Sequence, residues 1–164
     1  MSFPEPFRIR AYQATDLPRL QEITTQTFGE VSIDNNMERK FGSFGVGDWR
    51  TRKAAAIATD CSLQPDGVFV VETTEGGIVG YVTTRLNANS RIGWIPNLAV
   101  DPAYQGQGLG RALLEYALVF FREQGMEIAK IETLEQNPIG QNLYPSLGFE
   151  EVARQIHYAL PLKP

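Results

Sequence analysis

The sequence predicts an α+β fold: a mixed central sheet of about seven strands with helices on both faces. Three observations carry this. Strand and helix patterns follow one another in the order β-α-α-β-β-β-α-β-α-β-β. The turn signal Glu75-Gly76-Gly77 joins two strand-like runs, which makes the middle of the chain an antiparallel meander. A long amphipathic helix pattern then separates two further strand patterns, which adds one β-α-β crossover. The 164 residues suit one domain, 1–164, with a sizeable core, and show no internal repeat or dividing linker.

Taken in order, "FRIRAY" (7–12) alternates with period two and reads as a strand. Leu17, Leu20, Ile23 and Phe28 recur at helical spacing, with Thr15 or Asp16 as the cap and Pro18 in the first turn. "SIDNNMERKF" reads as a short helix capped by Ser32 or Asp34, and "FGSFGVGD" as a loop with exposed aromatics. Asp48 caps the helix "WRTRKAAAIATD". Strands follow at 67–74, at "IVGYVTTRL" and at 93–101, the last interrupted by Pro96, which belongs at a bulge or an edge. Ala112, Leu113, Tyr116, Ala117, Phe120 and Phe121 form an apolar helical stripe that Gly125 stops. "IAKIETL" (128–134) is a strand, "NPIGQNLYPSLGF" (137–149) a short helix, and "FEEVA" with "IHYALPL" a closing antiparallel pair.

Charge and composition narrow the function classes. Apolar residues at 43% and charged residues at 21% describe an ordinary globular protein. Fifteen basic against nineteen acidic residues leave a formal charge of −4, which argues against a nucleic-acid partner. Cys61 is the single cysteine, so no intrachain disulfide forms, and its reading is a small, partly buried residue rather than a nucleophile. One histidine and one cysteine far apart make no metal cluster. The N-terminus lacks an apolar signal region, and no apolar run approaches the ~20 residues of a membrane span. These features predict a cytoplasmic protein with no membrane partner.

The chemistry concentrates in "DPAYQGQGLGRALLEYAL" (101–118). Amides that converge at a helix N-terminus bind anions, and glycine lets the backbone approach closely. Gln105, Gly106, Gln107, Gly108, Leu109, Gly110 and Arg111 offer such a nest, with Arg111 as a fixed positive charge. A helix-start loop without a ligand has the same pattern. A P-loop requires Lys then Ser or Thr after its last glycine, and here Arg111-Ala112 follows. The dinucleotide fingerprint requires G-x-G-x-x-G, and here the glycines stand two apart.

The same residues resemble the acetyl-CoA signature of the GCN5-related N-acetyltransferases. Gln105, Gly108 and Gly110 match its core, and Leu98-Ala99-Val100-Asp101-Pro102 matches the strand that leads into it. Asn137, Leu143-Tyr144 and Gly148-Phe149 resemble the family's second signature, with Gly140 where alanine is more usual. The resemblance spans about residues 67–160. It implies the acyl-CoA N-acyltransferase fold and acetyl-CoA as cofactor, its pyrophosphate held by amides from Gln105 to Arg111. It implies that Leu98, Ala99 and Val100 lie along the pantetheine arm, with Asn137 hydrogen-bonded to that arm.

The implied reaction is attack of an amine acceptor on the thioester, which needs a base, an oxyanion donor and an acid. The resemblance points to the Leu98 amide as the oxyanion donor and to Tyr144 as the acid near the sulfur. Many relatives carry a glutamate on the strand before the glycine loop, whereas Trp94-Ile95-Pro96-Asn97 has no carboxylate. Asn97 can orient a water there but cannot itself be the base. Glu22, Glu30, Asp34 and His157 are the other candidates, and His157 reads better as a surface or structural residue. The acceptor site falls to the first two helices, the Phe41–Val46 loop and the last strands, where Glu30, Asp34, Glu38 and Asp48 can attract a cationic amine or simply form a solvated face. Two other readings stay open: a CoA-binding regulatory module without turnover, and a protein that associates through the Phe-rich loop. A propionyl or succinyl donor fits the pattern as well, although no extra basic cluster favours a dicarboxylic one. Dimers are common in the family, which leaves a homodimer open, and no segment specifies its interface.

Overall fold

The structure is a computed structural model and describes residues 5–162. Its strands are β1 (Arg8–Ala11), β2 (Val68–Glu72), β3 (Ile78–Asn87), β4 (Ile92–Val100) and β5 (Ile128–Ile131). Its α-helices are α1 (Leu17–Thr27), α2 (Ile33–Phe41), α3 (Trp49–Leu63), α4 (Leu109–Glu123) and α5 (Pro138–Leu143). The strands form one sheet in chain order, antiparallel from β1 to β4, with β5 added parallel to β4. The crossover through α4 is the β-α-β unit that the pattern predicts.

Local chemistry sets the helix starts. Ser32 Oγ accepts from Asn35 N at 3.4 Å, and Asp48 Oδ1 accepts from Arg50 N at 3.0 Å and Thr51 N at 3.2 Å. The expected cap on α1 is different. Neither Thr15 nor Asp16 caps that helix with its side chain; Asp16 instead accepts Gln13 N at 2.8 Å and two bonds from Arg10.

The sheet is covered on both faces, so β2 is buried at every position. Val68 and Val70 pack with Leu20, Ile23, Ile57 and Tyr81 under α1 and α3. Phe69 and Val71 pack with Leu109, Leu113, Leu114 and Phe121 of α4. Gly93 admits the closest of these contacts, because a Cβ there would fall 2.5–2.7 Å from three atoms of the Phe121 ring. Cys61 is buried, and burial pushes its thiol up to about 11, which suits the packing role expected of it.

Two strands expected from the sequence are absent among the described residues. Nothing from Glu150 to Leu162 pairs with the sheet, and Val152, Ile156, Tyr158, Leu160 and Leu162 are exposed. The sheet therefore has five strands rather than seven. Alternation marks a segment that can be a strand, but a strand also needs an edge to pair with. Here β5 offers only four residues, and His157 lies exposed in the tail rather than on a late strand. No helix among the described residues is long and apolar enough to cross a membrane.

Candidate functional site

The site begins with an irregularity in β4. Thr83 pairs with Asn97, but Arg85 pairs with Trp94, so β4 spends one extra residue in a bulge that contains Pro96. The extra residue flips the side-chain alternation. Ile95 and Leu98 both join the α4 side of the core, while Asn97 faces α3. The bulge that Pro96 implies is thus the element that sorts these side chains.

The ladder between β4 and β5 ends at the pair Ile95↔Ile131. Beyond it, β4 continues for five residues to Val100, while the chain after Ile131 leaves the sheet. Asn97 N donates to Thr83 Oγ1 at 3.1 Å and Asp101 N to Val79 O at 2.8 Å, both toward β3. Backbone groups alternate along a strand, so Leu98 and Val100 turn their N–H and C=O toward the open side. Gln105 Nε2 reaches Val100 O there at 3.0 Å. Ala99 points the other way and packs in the α1–α3 core.

This gap leads to the start of α4. Gly106 and Gly108 are both left-handed, with φ of 78° and 80°, a conformation that glycine adopts without strain. Gly108 is the N-cap position and brings no capping side chain. The amides of Gln107, Gly108, Leu109 and Gly110 have no acceptor among the described residues. Such amides at an uncapped helix start form an anion nest. Gly110 faces Leu143 of α5, where a Cβ would lie in ordinary contact, 3.6 Å from Leu143 Cδ2. Arg111 leans away from the nest, with Nη2 on Ser146 Oγ at 2.6 Å and Nη1 3.7 Å from Glu115.

The second sequence signature folds beside the gap. Asn137 caps α5: its Oδ1 accepts from Gly140 N at 3.4 Å, and its Nδ2 donates to Thr133 Oγ1 at 2.9 Å. The side chain expected on the cofactor arm is thus taken up by the helix start. Gly140 is buried and leaves no room for a Cβ, which would stand 2.6 Å from Thr133 Oγ1. Tyr144 follows α5, packs edge-on to Phe149 at 6.2 Å, and joins the α4-side cluster. Burial pushes its phenol up to about 12, so the hydroxyl keeps its proton throughout the neutral range.

Asn97 sits in a network that the sequence does not announce. Its Nδ2 donates to Asp60 Oδ2 at 2.5 Å, and Lys53 Nζ donates to its Oδ1 at 3.1 Å. Arg85 also binds Asp60. The Asn97 amide is therefore occupied at both ends, which leaves little for orienting a water. Lys53 further lies 4.6 Å above the Phe28 ring. Burial pushes its ammonium below the ordinary lysine range, while the charges of Asp34 and Asp60 pull it back up. A signal for Lys53 exists in the sequence. It stands four residues after Trp49 and four before Ile57, on the buried stripe of α3.

The acids expected to draw in a cationic amine are already paired. Arg52 binds Glu38 at 2.7 Å and Asp34 at 3.4 Å, Arg50 binds Asp48 at 3.0 Å, Arg19 binds Glu22 at 2.7 Å, and Arg39 lies 3.7 Å from Glu30. Arg52 also stacks on Phe44 at 4.1 Å, which draws the aromatic loop onto α3. Gln136 ties the opposite lip to this region through Glu30 O at 2.5 Å and the Asn36 side chain at 3.0 Å. One carboxylate flanks the gap directly. Glu132 is the first residue after β5, one step past the last ladder pair, exposed and 2.5 Å from Lys130 Nζ. No sequence pattern singles out Glu132, which follows β5 rather than lying on β4.

Comparisons with known proteins agree with this geometry. The model of the Acetyltransferase (GNAT) family matches residues 21–149. The mycothiol acetyltransferase of Nocardiopsis dassonvillei is 28% identical over 140 residues, covering 81% of this chain and 37% of that protein. Across such relatives the chain spans 33–56% of their length. The crystal structure of the ribosomal-protein-S18-alanine N-acetyltransferase from Escherichia coli matches with a TM-score of 0.66 and 26% identity, covering 90% of this chain and 79% of that one. The aminoglycoside N-acetyltransferase AAC(6')-Iy in complex with CoA shares the fold, with a TM-score of 0.66, 18% identity and 94% of each chain covered. With a splayed β4, a glycine nest at α4 and the family model matching most of its length, this chain belongs to the GNAT family of acetyltransferases.

Proposed function

We propose that residues 1–164 form one N-acetyltransferase domain that transfers an acetyl group from acetyl-CoA to a primary amine. The observation that carries this reading is the gap beyond Ile95↔Ile131, which runs along free main chain of β4 and ends on an uncapped helix start. The fit is chemical: Leu98 and Val100 offer strand-like hydrogen bonds to an amide-containing arm, and the amides of Gln107 to Gly110 suit a pyrophosphate. The names of relatives support an amine acceptor, since besides mycothiol acetyltransferases they include an aminoglycoside N(6')-acetyltransferase and a ribosomal-protein alanine N-acetyltransferase.

Acetyl-CoA supplies the acetyl thioester. The Leu98 amide, free on the open side of β4, donates to the oxygen that gains charge during attack. Glu132, on the opposite lip, takes the proton of the incoming ammonium. The Tyr144 hydroxyl, protonated because it is buried, gives its proton to the departing sulfur. Asn97 acts at one remove and holds Lys53 in place. A cytoplasmic setting, where acetyl-CoA is made and used, fits these roles.

Free-thiol release tests the reading, with acetyl-CoA offered to polyamines, aminoglycosides, amino acids, lysine peptides and peptides with free N-termini. Release that depends on one acceptor class is the expected result. Acetyl-CoA binding with no release from any class would favour a binding module without turnover instead.

A further inference from the structure

From Phe149 the chain runs to Pro161 without a turn or bend, and residues 150–162 make no main-chain hydrogen bond with the rest of the molecule among the described residues. The segment leaves the body as an arm. Its root is fastened: Arg154 donates to Glu151 Oε1 at 2.8 Å and to Glu135 Oε1 at 3.1 Å, in the loop that follows β5. Residues 150–161, extended, reach up to about 40 Å. Val152, Ile156, Tyr158, Leu160 and Leu162 stand at even positions, so in a strand they share one face. They are 74–96% exposed, which turns a run of large apolar side chains to water. The β5 strand is the matching half. It ends the sheet, so the side turned away from β4 carries unpaired main chain. The apolar layer under α4 is incomplete there as well: Met126, Ala129, Ile131 and Leu147 pack on that cluster but are only half-buried.

We propose that the arm of each chain pairs with the outer edge of β5 in a second copy, which makes a two-fold dimer by reciprocal strand exchange. Within one chain the arm and the edge do not meet, and without a turn in residues 149–161 the arm does not double back on itself. Every copy carries both halves, so the exchange closes at two chains and leaves neither half open. Main-chain bonds to the free edge supply the affinity, and the alternating side chains supply the register. Pairing falls on Ile156–Leu160, because Arg154 holds the root and Pro161 has no N–H to give. The even-numbered side chains then cover Met126, Ala129, Ile131 and Leu147 of the partner, while Gln155 and His157 stay in water on the other face. The inference goes beyond the acetyltransferase reading and does not depend on it.

Sedimentation equilibrium of the full chain over a dilution series tests the proposal. Wild type is expected at twice the chain mass. Ile156→Asp with Leu160→Asp is expected to weaken self-association more than tenfold, since it places two charges in the buried face of the exchange. Both side chains are exposed in the single chain, so circular dichroism is expected to report an unchanged fold. A monomeric wild type, or a dimer that this double variant leaves equally tight, overturns the proposal. A second measurement separates exchange between chains from closure within one. Ile128 and Tyr158 are exposed, whereas Cys61 is buried. Ile128→Cys with Tyr158→Cys in one chain, treated with a flexible bis-maleimide, is expected to give a denatured product of twice the chain mass. A product of single-chain mass with the two cysteines bridged to each other shows the arm on its own β5 and overturns the exchange. Both measurements work without acetyl-CoA or an acceptor, so their outcome is separate from that of thiol release.

Discussion

The Asn97 amide donates to the Asp60 carboxylate at 2.5 Å, and this bond joins β4 to the last turn of α3 beneath the open gap. Asp60 also holds Arg85, so one buried carboxylate satisfies groups from two strands. Asp60→Ala leaves the Asn97 Nδ2 donor with only a long contact to Thr83 and frees the Arg85 guanidinium. Removing one partner of a buried polar pair costs the desolvation of what remains. Arg85 is about a third exposed, so water recovers part of its share. The expected loss is about 2–3 kcal/mol, seen as a lower urea midpoint with an unchanged slope.

Gly108 is left-handed at the N-cap of α4, where its amide and those beside it point into the nest. Gly108→Ala imposes backbone strain of about 1–2 kcal/mol. Gly108→Val adds a branched side chain where a pyrophosphate would approach. Calorimetric titration is expected to show acetyl-CoA affinity reduced more than tenfold in the valine variant while circular dichroism still reports the wild-type fold. Undiminished affinity in a folded variant would move the pyrophosphate elsewhere.

Tyr144→Phe removes one hydroxyl from a ring packed against Phe149 and the α4 core. Acetyl-CoA affinity is expected to hold, because the ring contacts stay. Turnover is expected to fall by about 10²-fold, the lower range for loss of a positioned acid. The phenol sits near 12, so Tyr144 contributes no alkaline limb to kcat below about pH 11. A variant that matches wild type when chemistry limits the rate assigns the acid elsewhere.

Much of this geometry is legible in the sequence because it follows from local rules. Pro96 inside a strand pattern implies a bulge, and the glycines at 106 and 108 imply left-handed turns before a helix. Ser32 and Asp48 announce the helices they cap. What is hidden depends on pairing across the chain. Whether residues 150–162 become strands turns on which edge they meet, and no local pattern states that. The acids near α2 read as an attractive field, but Arg52, a neighbour only in space, binds both Asp34 and Glu38 and offsets one of their two charges. Glu132 escapes notice because its position at the gap is set by the register of β5 against β4. Lys53 is the intermediate case: its place on the buried stripe of α3 is visible in the spacing, while its seat on Asn97 is not.

Glu132 stands one residue past the Ile95↔Ile131 pair, with its carboxylate on Lys130, and is the proton acceptor of the proposed reaction. Glu132→Gln keeps the shape and removes the proton acceptor. The expected outcome is a kcat/KM lower by about 10²–10³-fold at neutral pH with unchanged acetyl-CoA affinity. Raising the pH is expected to recover much of the rate, because the acceptor amine then arrives without its extra proton. A uniform loss at every pH would instead assign Glu132 to holding Lys130.

Glu72 makes the fold sensitive to acid. Its buried carboxylate binds Arg10 at 2.7 Å and Arg8 at 2.5 Å, and the Arg10 bond is the main cause that holds it below the ordinary glutamate range. The folded pKa is depressed, so the unfolded chain takes up a proton first as pH falls. The stabilisation is therefore fully present above the unfolded value of about 4.3 and is lost as pH drops through the lower folded value. Glu72→Gln is expected to cost about 1–2 kcal/mol at pH 7, within the range for hydrogen bonds to charged groups. Urea denaturation from pH 7 to pH 3 should show the two proteins converging only below about pH 4. A gap that stays constant down to pH 3 would mean that packing, rather than the charge on Glu72, joins β1 to β2.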